Sequence, residues 1–187
     1  MSVSIRKTKK ILLTGPPGTG KTAVIDALKE MNYAVKEEVI REMTASLDDL
    51  NQSDGMNPLV ITDNPLDFNI RLFEKRKEHY QQSAVHELCF FDRGLIDVVG
   101  YMEHFEQTYP PYFTTEIKNN RYDIVFYFEP WEAIFTKDDQ RLEAFIDVLS
   151  IDDTLKKCYY SLNYDFVVVP QKSIAERTRF ILNMINA

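Results

Sequence analysis

A three-layer α/β sandwich around a mainly parallel, five-stranded sheet is the fold this sequence predicts, and three observations predict it. Short apolar runs alternate with longer stretches of helical periodicity, the pattern of βαβ units. A complete G-x-x-x-x-G-K-T run, Gly15 to Thr22, sits between the first apolar run and the first helical one. The 187 residues show no repeat, low-complexity tract or shift of composition, so residues 1–187 read as a single domain. A domain of this size buries roughly 70% of its unfolded surface and needs no disulfide or metal staple.

The elements follow in order. Lys10 to Thr14 reads as a strand, and Thr22 to Met31 as a helix with Ala23, Val24, Ala27, Leu28 and Met31 at helical spacing. Tyr33 to Lys36 is a short strand. Residues 46–62 hold Ser, Asp, Asn and Gly with few apolar anchors and predict a long mobile loop. Asn64 as cap, Pro65 at the first helical position and Asp67 at the third then open a helix predicted to run to about Leu88. Leu88 to Asp92, Asp123 to Phe128 and Phe166 to Val169 are apolar enough for strands covered on both faces. Leu95 to Phe105 is helical. Ser173, three residues before Glu176, forms a capping box for a last helix carrying Ile174, Phe180, Ile181 and Met184.

Composition excludes several functions. Lys and Arg number 22 against 29 Asp and Glu, and the net charge of −7 argues against general nucleic-acid binding or an anionic-membrane binder. A local basic pocket for a phosphate compound stays allowed. The two cysteines, Cys89 and Cys158, make no disulfide framework, so a reducing, cytoplasmic compartment is expected. The N-terminal positive charge is followed only by Ile11-Leu12-Leu13, too short for a signal peptide or a membrane span. His79, His86 and His104 have no ligand spacing with the cysteines, so no structural zinc is expected.

Gly15-Pro16-Pro17-Gly18-Thr19-Gly20-Lys21-Thr22 is the segment that carries chemistry. Its glycines let backbone N–H groups turn inward around phosphates, and the positive end of the following helix points at the same anion. Lys21 reaches the β- and γ-phosphates of a nucleoside triphosphate, and the Thr22 hydroxyl holds Mg²⁺. A second metal carboxylate belongs at the end of a neighbouring buried strand, where Asp92 stands; the plainer reading of Asp92 is a cap for the next helix. Arg93-Gly94 follow it in place of the glutamate a motor-type ATPase would use to polarise water. An arginine there suits a second anionic or polyhydroxylated substrate.

The run Phe90-Phe91-Asp92-Arg93-Gly94-Leu95-Ile96-Asp97-Val98, together with the phosphate loop and Phe128-Glu129-Pro130-Trp131, resembles a small family of P-loop proteins. These are grouped as a short AAA-type ATPase domain yet stand close to the nucleoside kinase branch and to nicotinamide riboside kinase. Glu38-Val39-Ile40-Arg41-Glu42 and the C-terminal strand and helix match in order. The resemblance implies a P-loop NTPase fold of the kinase branch, ATP with Mg²⁺, and a small hydroxyl-bearing acceptor of nucleoside or nucleotide type.

Residue by residue, the resemblance implies that Glu38 takes the proton of the acceptor hydroxyl, with Glu37 as a rival. Read without chemistry, both glutamates simply open a helix. Arg41, one turn beyond Glu38, would hold the acceptor or pair with Glu38, and Arg93 would contact the acceptor or the moving phosphoryl. A lid is expected at residues 136–141, with Arg141 as its arginine and Lys137 in reserve, the alternative being that Arg141 is an exposed residue of an ordinary helix cap, while residues 46–62 would close on the acceptor side. Arg71, Lys75, Arg76 and His79 fall at helical spacing and could line the acceptor pocket, but a solvated helix face among Glu74 and Glu78 is the preferred reading. Tyr101, Phe105, Tyr109, Tyr112 and Phe113 read as packing, and Trp131 as a rest for a nucleobase or as packing under the lid. Two other functions share these motifs: a regulatory ATPase that hydrolyses ATP as a switch, and a non-catalytic nucleotide-binding module.

Overall fold

The central apolar runs become strands because each finds two helix-covered faces to bury. The computed structural model describes residues 8–44, 64–135 and 139–186, with backbone alone for 41, 42, 44 and 139–144. Strands β1 (Lys9–Thr14), β2 (Ala34–Lys36), β3 (Leu88–Asp92), β4 (Ile124–Tyr127) and β5 (Val167–Val168) pair in the order β2-β3-β1-β4-β5, every pairing parallel. Helices α1 (Lys21–Glu30), α2 (Val39–Thr44), α3 (Pro65–Gln82), α4 (Leu95–His104), α5 (Tyr112–Asn119), α6 (Asp139–Ser161) and α7 (Ile174–Asn186) connect and cover them. This is the expected three-layer sandwich with its five-stranded sheet.

Residue alternation along β1 sorts the core into two layers. Ile11 and Leu13, with Phe90 and Phe126, bury against Val24 and Leu28 of α1 and Ile181 of α7. Leu12, Phe91 and Val125 bury on the other face against Phe73 of α3, Val98 of α4, Phe113 of α5 and Tyr159 of α6. Each large apolar side chain so buried contributes roughly 1.5–3 kcal/mol, and a one-residue slip would exchange the two faces, so the register Ile11↔Phe90, Leu12↔Phe91 is fixed by burial.

Local signals set most of the boundaries. The Asn64 side chain accepts the Asp67 N–H at 3.1 Å, with Pro65 in the first turn of α3. Ser173 and Glu176 bond reciprocally at the start of α7. Helix α3 ends at Gln82, six residues short of the expected Leu88. Ser83 is the reason: its Oγ donates to the Tyr80 carbonyl at 2.7 Å, and the chain tightens into one 3₁₀ turn before β3. Helix α5, where only aromatic packing was expected, is anchored by Phe113, whose ring stacks on Phe73 at 3.7 Å. Of the expected lid, residues 139–141 are the first turn of α6, whereas 136–138, like the acceptor-side loop 46–62, lie outside the described residues. Among the described residues no helix is long and apolar enough to cross a membrane.

Strand order places the chemistry. β1 lies between β3 and β4, so the chain leaves β1 toward one edge of the sheet and returns across it, opening a crevice at the carboxyl ends of these strands. Thr14, Asp92, Phe128 and Glu38 all stand at or just beyond those ends.

Candidate active site

The phosphate loop wraps the end of β1 with three glycines at positive φ: Gly15, Gly18 and Gly20, at +133°, +72° and +76°. A side chain at Gly15 would collide with the Phe128 carbonyl oxygen, and one at Gly20 would meet the Arg177 guanidinium at 2.8 Å. Lys21, the first residue of α1, folds its ammonium back over the loop and donates to the carbonyls of Gly15 (2.9 Å) and Pro16 (2.6 Å) and to Thr19 Oγ1 (3.0 Å). Burial, and then the charge of Arg93, push the Lys21 pKa down to about 7, against the pull of Asp92, Asp97 and Glu38.

Asp92 ends β3 in register with Leu13 and is almost fully buried. Burial and then the neighbouring Glu38 charge push its carboxyl above the usual range, while Lys21 and Arg93 draw it back. Thr22, partly buried, follows Lys21 in the first turn of α1, so the loop hydroxyl and the strand-end carboxylate belong to adjacent elements.

Arg93 comes next, and its backbone is left-handed at φ +67°, a conformation a non-glycine residue holds only when its surroundings fix it. They do. Its N–H bonds the Leu13 carbonyl at 3.0 Å, extending the β1–β3 ladder by one residue. Its guanidinium reaches Glu38 Oε2 (2.8 Å), the Gly15 carbonyl (3.1 Å) and Asp97 Oδ1 (3.8 Å), and lies 5.2 Å from the centre of the Tyr101 ring. The structure thus brings Glu38, Arg93, Asp92 and Lys21 into one cluster.

Two residues of this region, Asp97 and Arg177, escaped the sequence reading, and a third, Arg76, was placed on a solvated face in preference to the acceptor pocket. Arg76 of α3, expected on a solvated face, is 3% exposed; it donates to Glu38 Oε1 at 2.7 Å and to the Gly94 carbonyl at 3.0 Å. Its signal was present, because Asn69, Leu72, Phe73, Arg76 and Tyr80 share the buried stripe of α3. Asp97, fully buried, accepts from the Thr14 hydroxyl, the Gly94 N–H (2.6 Å) and the Tyr159 hydroxyl (3.1 Å). It is the one acid in the apolar start of α4. Arg177 of α7 donates to the Thr19 carbonyl at 3.1 Å and stands 5.6 Å from the Trp131 ring, spaced helically with the buried Ile181 and Ile185.

Burial alone would push the Glu38 carboxyl up; Arg76 and Arg93 more than offset it and hold it below the usual glutamate range. Glu37 instead turns outward to Lys29, half exposed. Arg41 lies in α2 and Arg141 in the first turn of α6, and the structure describes only their backbone. A hollow of about 710 Å³ lies between Met43 of α2 and Ile70, Glu74 and Lys77 of α3 and contains none of the cluster.

Several solved structures share this fold. Deoxyadenosine kinase from M. mycoides superposes with a TM-score of 0.62 at 19% identity, over 95% of this chain and 98% of its own. Thymidylate kinase from Ehrlichia chaffeensis does so with a TM-score of 0.61 at 16% identity, over 96% and 99%. NadR protein, in complex with NAD and AMP-PNP, gives a TM-score of 0.66 at 16% identity, over 96% of this chain and 49% of its own. No curated protein sequence matches. A family model described as an AAA domain matches residues 10–177, from the first strand to the arginine beside the phosphate loop, and the chain belongs to that family.

Proposed function

We propose that this domain binds ATP and transfers its γ-phosphoryl group to a hydroxyl of a small acceptor of nucleoside or nucleotide type. One observation carries the reading: the Arg93 guanidinium spans Glu38 and the Gly15 carbonyl, so a group at the end of β2 and the phosphate loop share one cation. The kinase-like neighbours support it.

In this reading the loop N–H groups and Lys21 hold the β- and γ-phosphates, and Lys21 exchanges its carbonyl partners for phosphate oxygens. The donor base rests beside Thr19 in the small cleft lined by Phe128, Trp131, Gln171 and Arg177. Mg²⁺ fits the residues present, because the Thr22 hydroxyl and the buried Asp92 carboxyl would offer it hard oxygen donors. When bound, it neutralises charge on the β- and γ-phosphates. Glu38, ionised at neutral pH, orients the acceptor hydroxyl and accepts its proton as the new O–P bond forms and the bond to the ADP oxygen breaks. Arg93 faces the charge of the moving group. The work is mostly positioning and charge neutralisation.

A panel of nucleosides, nucleotides and small alcohols with Mg-ATP tests this, with ADP release read against an acceptor-free blank. An acceptor that accelerates ADP release and gains phosphate supports the kinase. Slow hydrolysis that no acceptor changes overturns it in favour of a regulatory ATPase.

A further inference from the structure

Three acids act on the charge of Arg93: Glu38, Asp97 and Asp92. Asp97 is the most deeply buried of them, and its two oxygens divide their partners. Oδ2 accepts the Gly94 N–H at 2.6 Å and the Tyr159 hydroxyl at 3.1 Å. Oδ1 accepts the Thr14 hydroxyl and faces Arg93 Nη1 at 3.8 Å. A carboxylate at the third position of a helix, taking the N–H of the cap residue, is an ordinary capping device, and that accounts for the Gly94 bond. It does not account for the other three contacts. They join α4 to the residue before the phosphate loop, to α6 and to the guanidinium beside Glu38. Arg93 and Asp97 are both buried, so solvent screens their attraction little.

We infer that Asp97 is a positioning residue: the charge on its Oδ1 holds the Arg93 guanidinium at the Gly15 end of the phosphate loop, where the phosphoryl group passes. This deepens the reading above and rests on the place given there to Arg93. In that reading Glu38 turns to the acceptor hydroxyl, and Asp92 is the carboxyl offered to Mg²⁺. Both gain other partners while the phosphoryl moves, and Asp97 keeps Arg93 throughout. Asp97→Asn separates this role from capping. The amide has to keep its oxygen at the Oδ2 place, because the Gly94 N–H can only donate, and the Tyr159 bond survives with it. Its NH₂ then takes the Oδ1 place, where the Thr14 hydroxyl turns from donor to acceptor. All three hydrogen bonds remain, and what is lost is the charge facing Arg93.

The experiment measures γ-phosphoryl transfer at saturating Mg-ATP, to an acceptor found by the panel above or to water. Calorimetry with a non-hydrolysable ATP analogue fixes the competent fraction of each protein. Asp97→Asn is expected to keep analogue affinity within about threefold and to lower kcat about 10- to 100-fold, the cost of misplacing a catalytic group by about 1 Å. Tyr159→Phe removes one hydrogen bond to Asp97 and no charge, and should keep kcat within about threefold. In an Arg93→Met background Asp97→Asn should lower kcat no further, because the group it acts through is gone. An unchanged kcat in Asp97→Asn overturns the inference, as does an equal loss in Tyr159→Phe or in the Arg93→Met background. An Asp97→Asn protein that fails to bind the analogue overturns it too, since hydrogen bonding is then the role of this carboxylate. The expected pattern found on transfer to water, with no acceptor ever accelerating ADP release, overturns the kinase reading and leaves the role of Asp97 standing.

Discussion

Glu38 and Arg93 meet at 2.8 Å across the carboxyl ends of two neighbouring strands, and each explains a peculiarity of the other. The left-handed backbone of Arg93 turns its guanidinium back toward β2, where a buried carboxylate waits. The charge of that carboxylate is tolerated because Arg93 and Arg76 flank it.

Glu38→Gln is expected to keep ATP affinity and to lose acceptor phosphorylation. General-base catalysis is worth roughly 10²–10⁴-fold, and the lower end applies, because the phosphoryl transition state is loose and Glu38 is held as a weak base. Glu37→Gln is the internal control. Glu37 pairs with Lys29 at the surface, away from the cluster, and its loss should change the rate little. Steady-state rates with calorimetric ATP affinities decide; two variants that behave alike would remove Glu38 from the chemistry.

Nucleotide binding should take up protons near pH 8. Lys21 titrates near pH 7 in the folded protein, well below its ordinary value of 10.5, so at pH 8 much of it is neutral. A bound triphosphate favours the charged form and raises that pKa, drawing a proton from solution. Calorimetric heats in buffers of different ionisation enthalpy give the number directly, and Lys21→Met should abolish the uptake. Without nucleotide the sign is also fixed: the unfolded chain holds more protons on this group between about pH 7 and 10.5, so its contribution makes stability rise with pH across that window. Heats independent of buffer would show that Lys21 is already charged.

Legibility in the sequence followed locality. The phosphate loop, Asp92 at a strand end and the caps at Asn64 and Ser173 depend on neighbours a few residues away, and their elements stand where the pattern put them. Glu38 was nominated against Glu37 by resemblance alone; what separates them is that one faces Arg76 and Arg93 and the other Lys29. Arg76 was misread because its flanking acids, Glu74 and Glu78, suggested solvent, although its place between Phe73 and Tyr80 on the helix put it inward. Arg177 contacts Thr19 across 158 positions of sequence, and no local pattern reports such a contact. The C-terminal strand shrank to Val167–Val168 because it is an edge strand, paired on one side only.

Arg76→Met should destabilise the fold by about 3–5 kcal/mol, the usual cost of leaving one partner of a buried pair unmatched. Arg76→Met combined with Glu38→Met should recover a large part of that loss, which denaturant unfolding at neutral pH will show. The pH dependence has a definite sign. Glu38 is held below the ordinary glutamate range, so its stabilising contribution is complete above the unfolded value and is lost as pH falls through the folded one. Removing Arg76 shrinks or reverses that contribution, because Arg93 alone is then set against the burial of Glu38. A single variant as stable as wild type would mean that the pair carries no net attraction.

Trp131, the one tryptophan of the chain, should report the donor base. It borders the cleft beside Thr19, facing Arg177 at 5.6 Å, and a planar base placed there would lie against indole and guanidinium together. Mg-ATP should therefore change the tryptophan emission, whereas Mg-tripolyphosphate, which has no base, should leave it nearly unchanged. Stacking of a base on an aromatic ring is worth roughly 1–3 kcal/mol, so Trp131→Ala should weaken ATP binding by about 5- to 150-fold. Tripolyphosphate affinity should hold in that variant and collapse in Lys21→Ala, which separates the base from the phosphates. Should Trp131→Ala weaken both ligands equally, the indole supports the phosphate loop by packing and the base lies elsewhere.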